Sequence, residues 1–373
     1  MFRRTTTQFC ILSLALALGL GCLSQAALAQ QASGAQAADP AAEAPVAAAP
    51  APATDASAAA AAPAPQAAEA PTEAPAAKPT PAPYSLPFQL RAAAVATVIR
   101  SDTAFAFYEN PVNHNGGNAI ASMLLASYKL TDSFAPLIRL AVVSNSPPSV
   151  PSVPGASAPG GGFAVVNPML GGTYLFKLTP ELRLSLYLCF TIPVGMGGGN
   201  KPDADVALAA KSGILARSSL DNALFAVNDF AVLPGVDLAY VAHGLTVQGE
   251  ATLLQLTRVR GDQAPAPGKL APNPDASKTA LAMGVHVGYF FIPELSGGVE
   301  LRHQRWLSTP VAVKNDLTGT LRDNTTLAFG VRCHVKLSDK IWIRPGLVYA
   351  MGLDDPLHKQ GYKIVQLDVP VQF

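Results

Sequence analysis

The side chains with the most evident chemistry in this sequence are charges that interrupt apolar runs. Arg139, Lys177, Arg183, Arg302, Arg332, Lys336 and Arg344 are basic, and Asp237, Glu250, Glu300 and Asp368 are acidic. Charges placed this way can set the electrostatics of an aqueous path through apolar surroundings. Covalent chemistry has less support. There is no G-x-S-x-G, no Walker-type loop, no H-E-x-x-H and no C-x-x-C in the region that carries these charges. The histidines, His114, His243, His286, His303, His334 and His358, lack metal-ligand spacing. The glycine-rich "GMGGGN", Gly195 to Asn200, follows a strand-like run into a long loop and reads as loop rather than phosphate cradle. No catalytic residue, metal or cofactor is assigned.

The elements that must position the charges alternate with period two. In "ELRLSLYLCFTI", Leu182, Leu184, Leu186, Leu188, Phe190 and Ile192 share one face, and Arg183, Ser185, Tyr187, Cys189 and Thr191 the other. "TALAMGVHVGYFF" and "TTLAFGVRCHVKL" repeat the pattern around His286 and Arg332. Successive side chains of a strand point to opposite faces, so each strand has one greasy face and one small or polar face. Tight connections are expected around Thr131, Thr179, His243, Pro293 and Ser338. Between them lie long stretches, Asn145 to Gly162, Gly195 to Asn228, Gly261 to Ser277, Ser308 to Asp323 and Gly352 to Lys359. Five hairpins, a first strand near Leu90 to Val98 and a terminal strand ending at Phe373 give about twelve strands by the rhythm of an up-and-down meander. Arg100 to Asn118 either extends the first strand or forms a loop.

Composition supports a protein that faces something other than water. Charged residues are 14% of the 373, against roughly 25% in ordinary soluble proteins. The net charge of +1 gives no reason to expect nucleic acid. Residues 1–29 read as a secretory signal peptide, with Arg3 and Arg4, an apolar stretch from Phe9 to Leu20, and a small-x-small site in "ALAQ". A rival reading is lipidation at Cys22 within "LGLGC". Residues 30–83 are almost all Ala and Pro, which cannot build a core and read as a disordered periplasmic tether. Residues 84–373 form the remaining domain. Only Cys189 and Cys333 lie beyond the signal, which excludes a disulfide scaffold.

Two architectures compete for that domain. A soluble barrel or sandwich hides its greasy faces, whereas a membrane barrel turns them to lipid and its polar faces to the lumen. The membrane barrel is favoured. Strands run near the spanning length of a tilted strand. Tyr128, Phe176, Tyr240, Tyr289, Phe291 and Trp342 cluster beside the tight turns, where interfacial rings belong. The expected fold is all-β: a transmembrane up-and-down antiparallel β-barrel of about twelve strands.

From Tyr84 to Phe373 the chain resembles the outer-membrane β-barrel proteins of Gram-negative bacteria. The resemblance rests on the signal peptide, the loop rhythm and the final strand "KIVQLDVPVQF". It implies an outer-membrane location with both termini periplasmic, and outer-membrane lipid as a partner. It also implies that Val369, Val371 and Phe373 belong to a signal read by the barrel assembly machinery. The class hosts pores, transporters, enzymes and structural anchors. Lipid-facing charges cost roughly 2–4 kcal/mol each for Arg or Lys, so the eleven charges named at the outset are expected inside. A porin-like channel for small solutes with mild anion preference is the leading expectation. A lumen closed by paired charges, such as Glu300 with Arg332 or Arg344, fits as well. In that case the barrel is an anchor, and residues 31–83 contact peptidoglycan or a periplasmic protein. A lipid-acting enzyme of the phospholipase type is a weaker alternative, because no histidine has Ser two residues away. Asn200 to Val227 suits helical spacing, although Gly213 weakens it.

Overall fold

The computed structural model describes residues 83–373 except 111–112, 150–159, 219–221, 262–274 and 316–322. The expected signal peptide (1–29), Cys22 and all but the last residue of the Ala/Pro-rich segment (30–83) lie outside the described residues. The strands are β1 Val98–Glu109, β2 Gly116–Ser127, β3 Phe134–Ser146, β4 Gly162–Val165, β5 Met169–Lys177 and β6 Leu182–Thr191. They continue with β7 Asp229–Ala242, β8 Leu245–Arg258, β9 Ser277–Ile292, β10 Leu295–Trp306 and β11 Asn324–Cys333. The last four are β12 Val335–Lys336, β13 Trp342–Ile343, β14 Gly346–Gly352 and β15 Lys363–Gln372. Four helices lie between strands: α1 Ala204–Ala216, α2 Asn222–Phe225, α3 Val311–Lys314 and α4 Asp355–His358.

The antiparallel ladder runs β1-β2-β3-β5-β6-β7-β8-β9-β10-β11-β14-β15 and returns to β1, closing a ring of 12 strands. Closure follows from the solvent: lipid offers no hydrogen-bond partner, so a spanning sheet can leave no edge. The seam is formed by the terminal strand, which pairs with β1 from Phe107↔Lys363 to Val98↔Gln372. Phe373 donates its N–H to the Thr97 carbonyl beyond the last pair. Pro370 faces Arg100 near this end and has no N–H to give, but its carbonyl accepts from Arg344 N at 2.9 Å. Beside the ring, β4 pairs β3, and β12 and β13 make a small hairpin that touches β15.

Period-two alternation becomes the inside and outside of the ring. On β7, Phe230, Val236, Leu238 and Tyr240 face out, while Ala231, Leu233, Asp237 and Ala239 are buried. On β9, Val285, Val287 and Tyr289 face out and His286 is buried. Five tight connections sit at one end of the ring, between β2 and β3, β5 and β6, β7 and β8, β9 and β10, and β12 and β13. This turn end also holds Phe373 and the start of β1. Tyr128, Phe176, Tyr240, Tyr289 and Phe291 are exposed around it, with Trp342 half-buried, which forms an aromatic girdle. The long connections all emerge at the opposite, loop end.

Where the first strand starts differs from the sequence expectation. It begins at Val98, and Leu90 to Thr97 belong to a loop folded into the ring. An apolar run records that a segment is buried, not which surface buries it. Phe88 and Leu90 are fully buried in the lumen rather than turned to lipid. Wall glycines make the room. A Cβ at Gly284 would collide with Leu90, and one at Gly288 with Ser85.

Leu301, in mid-strand on β10 and 45% exposed, tests the orientation of the wall. Leu301→Arg is expected to lower the unfolding free energy in lipid vesicles by about 2–4 kcal/mol, and Leu301→Phe to leave it nearly unchanged. Equal stability of the two variants in a denaturant titration would contradict a lipid-facing position.

Candidate functional site: the filled lumen

The lumen is occupied by two pieces of the chain itself. From the turn end, Tyr84 to Thr97 enters, reaches its deepest point at Leu90 and Arg91, and returns to start β1. The way in and the way out are tied together, because Tyr84 Oη accepts from Ala93 N at 2.9 Å and donates to Gln248 Oε1 at 2.5 Å. The return limb ends where Thr97 Oγ1 accepts from Lys129 N at 3.1 Å.

Wall side chains meet much of the loop backbone between Pro87 and Arg91. Glu300 accepts from Phe88 N at 2.6 Å and from Gln89 N at 2.9 Å, and its Oε1 lies 3.1 Å from His286 Nδ1. Arg100 and Arg332 clamp Asp368 at 2.6 and 2.5 Å, and both also donate to the Pro87 carbonyl. Arg100 donates to the Phe88 carbonyl too, and the Arg332 guanidinium lies 4.8 Å above the Phe88 ring. The Gln89 carboxamide bridges Gln366 at 2.9 Å and Arg302 at 3.0 Å. Arg91 donates to Asp237 at 3.0 Å, lies 3.3 Å from Glu250, and rests 4.3 Å from the centre of the Tyr187 ring. Its N–H is accepted by Glu250 at 2.7 Å and its carbonyl takes Gln248 Nε2 at 2.6 Å. An unpaired buried backbone group costs about 1–3 kcal/mol, so such matching is what lets a loop sit inside a barrel.

The second piece comes from the loop end, where α1 and α2 fold into the mouth. Asp203 caps α1 by accepting from Asp205 N and Val206 N. The helix packs on the inner face of β1 to β4, where the inward residues are small: Ala104, Ala106, Ala119, Ala121, Ala141, Val143 and Ala164. Gly213 suits this packing rather than opposing the helix. A Cβ there would lie 2.3 Å from a Phe225 ring carbon and 2.9 Å from Val143 Cγ2. At the C-terminal end of α1, Arg217 forms a buried ion pair with Asp102 at 2.8 Å, and Tyr362 donates to the Leu215 carbonyl. Asn222 on α2 donates to Gln304 at 2.8 Å. Between loop and wall a cavity of about 30 Å³ remains, lined in part by Arg91, Arg139, Tyr187, Glu250, Thr252 and Arg302.

The charges read from the sequence therefore differ in what they meet. Asp237, Glu250, Glu300, Arg302 and Arg332 touch the lumenal loop, and Asp368 binds Arg100 and Arg332 beside it. Arg139 lines the cavity, and Arg183 lies 5.5 Å from the Tyr84 ring. Arg344 is half-buried near the turn end, with its carbonyl accepting from Arg332 and its guanidinium 5.8 Å from the Trp342 ring. Lys177 and Lys336 are exposed at the turn-end rim, where Lys336 pairs with Asp339 at 2.8 Å. Glu300 meets His286 and loop amides rather than Arg332 or Arg344. Val369 and Val371 are half-buried beside Pro370 and Phe373 is exposed at the rim, all on the outward side of β15.

Sequence reading missed Gln89, Arg91, Arg100, Asp102, His286 and Arg217. Arg100 and Asp102 share the inward parity of Ala104 and Ala106, a signal lost once the first strand was started too early. Among the described residues no group of acidic, His and Cys side chains could hold a metal. Among the described residues one Ser–His hydrogen bond is present, Ser296 Oγ to His334 Nε2 at 2.8 Å. It is buried inside the turn end, with Arg332 and Arg344 rather than a carboxylate as charged neighbours.

A closed antiparallel ring with an apolar exterior, an aromatic girdle and a charged interior has the architecture of the outer-membrane β-barrels. No family model matches the sequence, and no curated protein is similar to it. Solved structures similar to the chain include an outer-membrane channel from Pseudomonas putida F1, with 14% identity, 77% of this chain and 98% of that chain covered, and a TM-score of 0.46. The NanC porin has 10% identity over 73% of this chain and 98% of its own, with a TM-score of 0.39. The β domain of the Bordetella autotransporter BrkA has 10% identity over 74% and 99%, with a TM-score of 0.43.

Glu300→Ala removes the acceptor of two successive loop amides. Hydrogen exchange at Phe88 and Gln89 is expected to accelerate at least tenfold, while the amides of β10 keep their protection. Unchanged exchange at both residues would contradict the role given to Glu300.

Proposed function

We propose that the protein is an outer-membrane channel for small solutes, held closed by its own lumenal loop. The observation that carries this reading is the wall. Its inner face is charged and hydrogen-bonding where a sealed barrel needs only an apolar core, and much of that polarity is met by a loop that forms no part of the ring. Withdrawal of Tyr84–Thr97 would leave a polar, hydratable passage beside α1 and α2 without breaking one inter-strand bond of the barrel.

The loop enters at the turn end, which in this reading is the periplasmic side, with both termini there. Basic wall residues slightly outnumber acidic ones: Arg100, Arg139, Arg183, Arg302, Arg332 and Arg344 stand against Asp102, Asp237, Glu250, Glu300 and Asp368. Mild anion preference follows for the open lumen. Val369, Val371 and Phe373 present the outward face of the last strand to the assembly machinery. The filled lumen favours a second reading, a closed structural barrel tied to the envelope by residues 31–83. A lipid-acting enzyme has no comparable support, because the Ser296–His334 pair does not face lipid.

Planar-bilayer recording separates the two readings. Replacing Phe88–Arg91 by Gly-Ser residues of equal number should turn a mostly silent barrel into one with steady conductance and a modest chloride-over-potassium preference. A folded variant that stays silent would remove the channel reading and leave the anchor. Deleting residues 31–83 from the loop-replaced barrel should leave its conductance intact in a channel.

A further inference from the structure

Asp237 and Glu250 are direct cross-strand partners on β7 and β8, both turned into the lumen. Like charges placed opposite one another destabilise a sheet, and burial away from water raises the cost further. Their described ion pairs are both with Arg91, which belongs to the loop and not to the wall. Other wall carboxylates are compensated differently. Asp368 has Arg100 and Arg332 of the wall, Glu300 has His286, and Asp102 has Arg217 at the end of α1. The acid pair is thus a like-charge pair whose described ion pairs come from the lumenal loop.

What surrounds the pair has the shape of a receptor. The Arg91 guanidinium donates to Asp237 Oδ1 at 3.0 Å, with Glu250 3.3 Å away, Thr252 Oγ1 accepting one of its N–H groups and the centre of the Tyr187 ring 4.3 Å from its carbon. Acceptors on two separate nitrogens and an aromatic face suit a guanidinium better than the compact point charge of an ammonium. Asp237 is 1% exposed and lies opposite Ser185 of β6, so its contact with Arg91 is made away from water. The cavity of about 30 Å³ opens alongside, next to Glu250 and Thr252.

We propose that this is a guanidinium-recognition site of the channel lumen, and that Arg91 is its built-in ligand in the closed barrel. It rests on the channel reading. Once the loop withdraws, the acid pair needs a cation, and a solute bearing a guanidinium group fits the vacancy. Such a solute and Arg91 compete, so binding of one favours release of the other.

The test uses the full chain in detergent with argininamide as the probe and calorimetry as the readout. Arg91→Ala should bind at least tenfold more tightly than the wild type. Arg91→Ala combined with Asp237→Asn and Glu250→Gln should lose at least tenfold again, and lysinamide should bind Arg91→Ala more weakly than argininamide. No binding to Arg91→Ala, or equal binding by all three proteins, overturns the site. A second measure needs no substitution: argininamide should speed hydrogen exchange at Phe88 and Gln89 of the wild type, and unchanged exchange counts against the competition. Conductance keeps the two ideas apart. A loop-replaced barrel that conducts, beside an Arg91→Ala protein that binds nothing, removes the site alone. Binding without any conductance in the loop-replaced barrel removes the channel alone.

Discussion

A charge held in a narrow lumen must find its opposite close by, and in this barrel the wall cannot supply every one. That constraint organises the interior. Asp368 is neutralised within the ring by Arg100 and Arg332. Glu300 spends its lone pairs on His286 and two loop amides. Asp237 and Glu250 depend on Arg91. The loop is therefore more than a filler. It completes an electrostatic pattern that the strands leave unfinished.

The exterior obeys a different solvent. Lipid forbids an open sheet edge, so β15 must reach β1, and it forbids unpaired charge, so every strand sorts its residues by parity. Small inward residues on β1 to β4 then make space for α1, and wall glycines make space for Leu90 and Ser85. One alternation thus serves both surfaces. The outward face carries bulk, and the inward face alternates between charge and vacancy for the two inserted segments.

Much of this was legible in the sequence for a physical reason: a strand's period is fixed, and a bilayer leaves no freedom about which face is apolar. The parity of Asp237, Glu250, Arg302 and Arg332 could be read without a structure, as could the turns near His243 and Pro293. The lumenal loop was not legible. "SLPFQLRAAAVATV" has the apolarity of a strand, and nothing local says that Phe88 and Leu90 meet the inside of the ring. Apart from Arg100, their partners are more than a hundred residues away in sequence, on β9, β10, β11 and β15. Gly213 misled in the same way, because its value lies in contact with Phe225 and Val143 rather than in helix propensity.

The central claim is that the loop's position decides whether the barrel conducts. A disulfide between Ser85→Cys on the loop and Thr246→Cys on β8, where Ser85 N donates to Thr246 Oγ1 at 2.9 Å, would pin the loop to the wall. Placed in the Arg91→Ala background, the oxidised barrel should be silent in a planar bilayer, and adding a reductant to the same membrane should bring steady current. The same current before and after reduction would contradict the account.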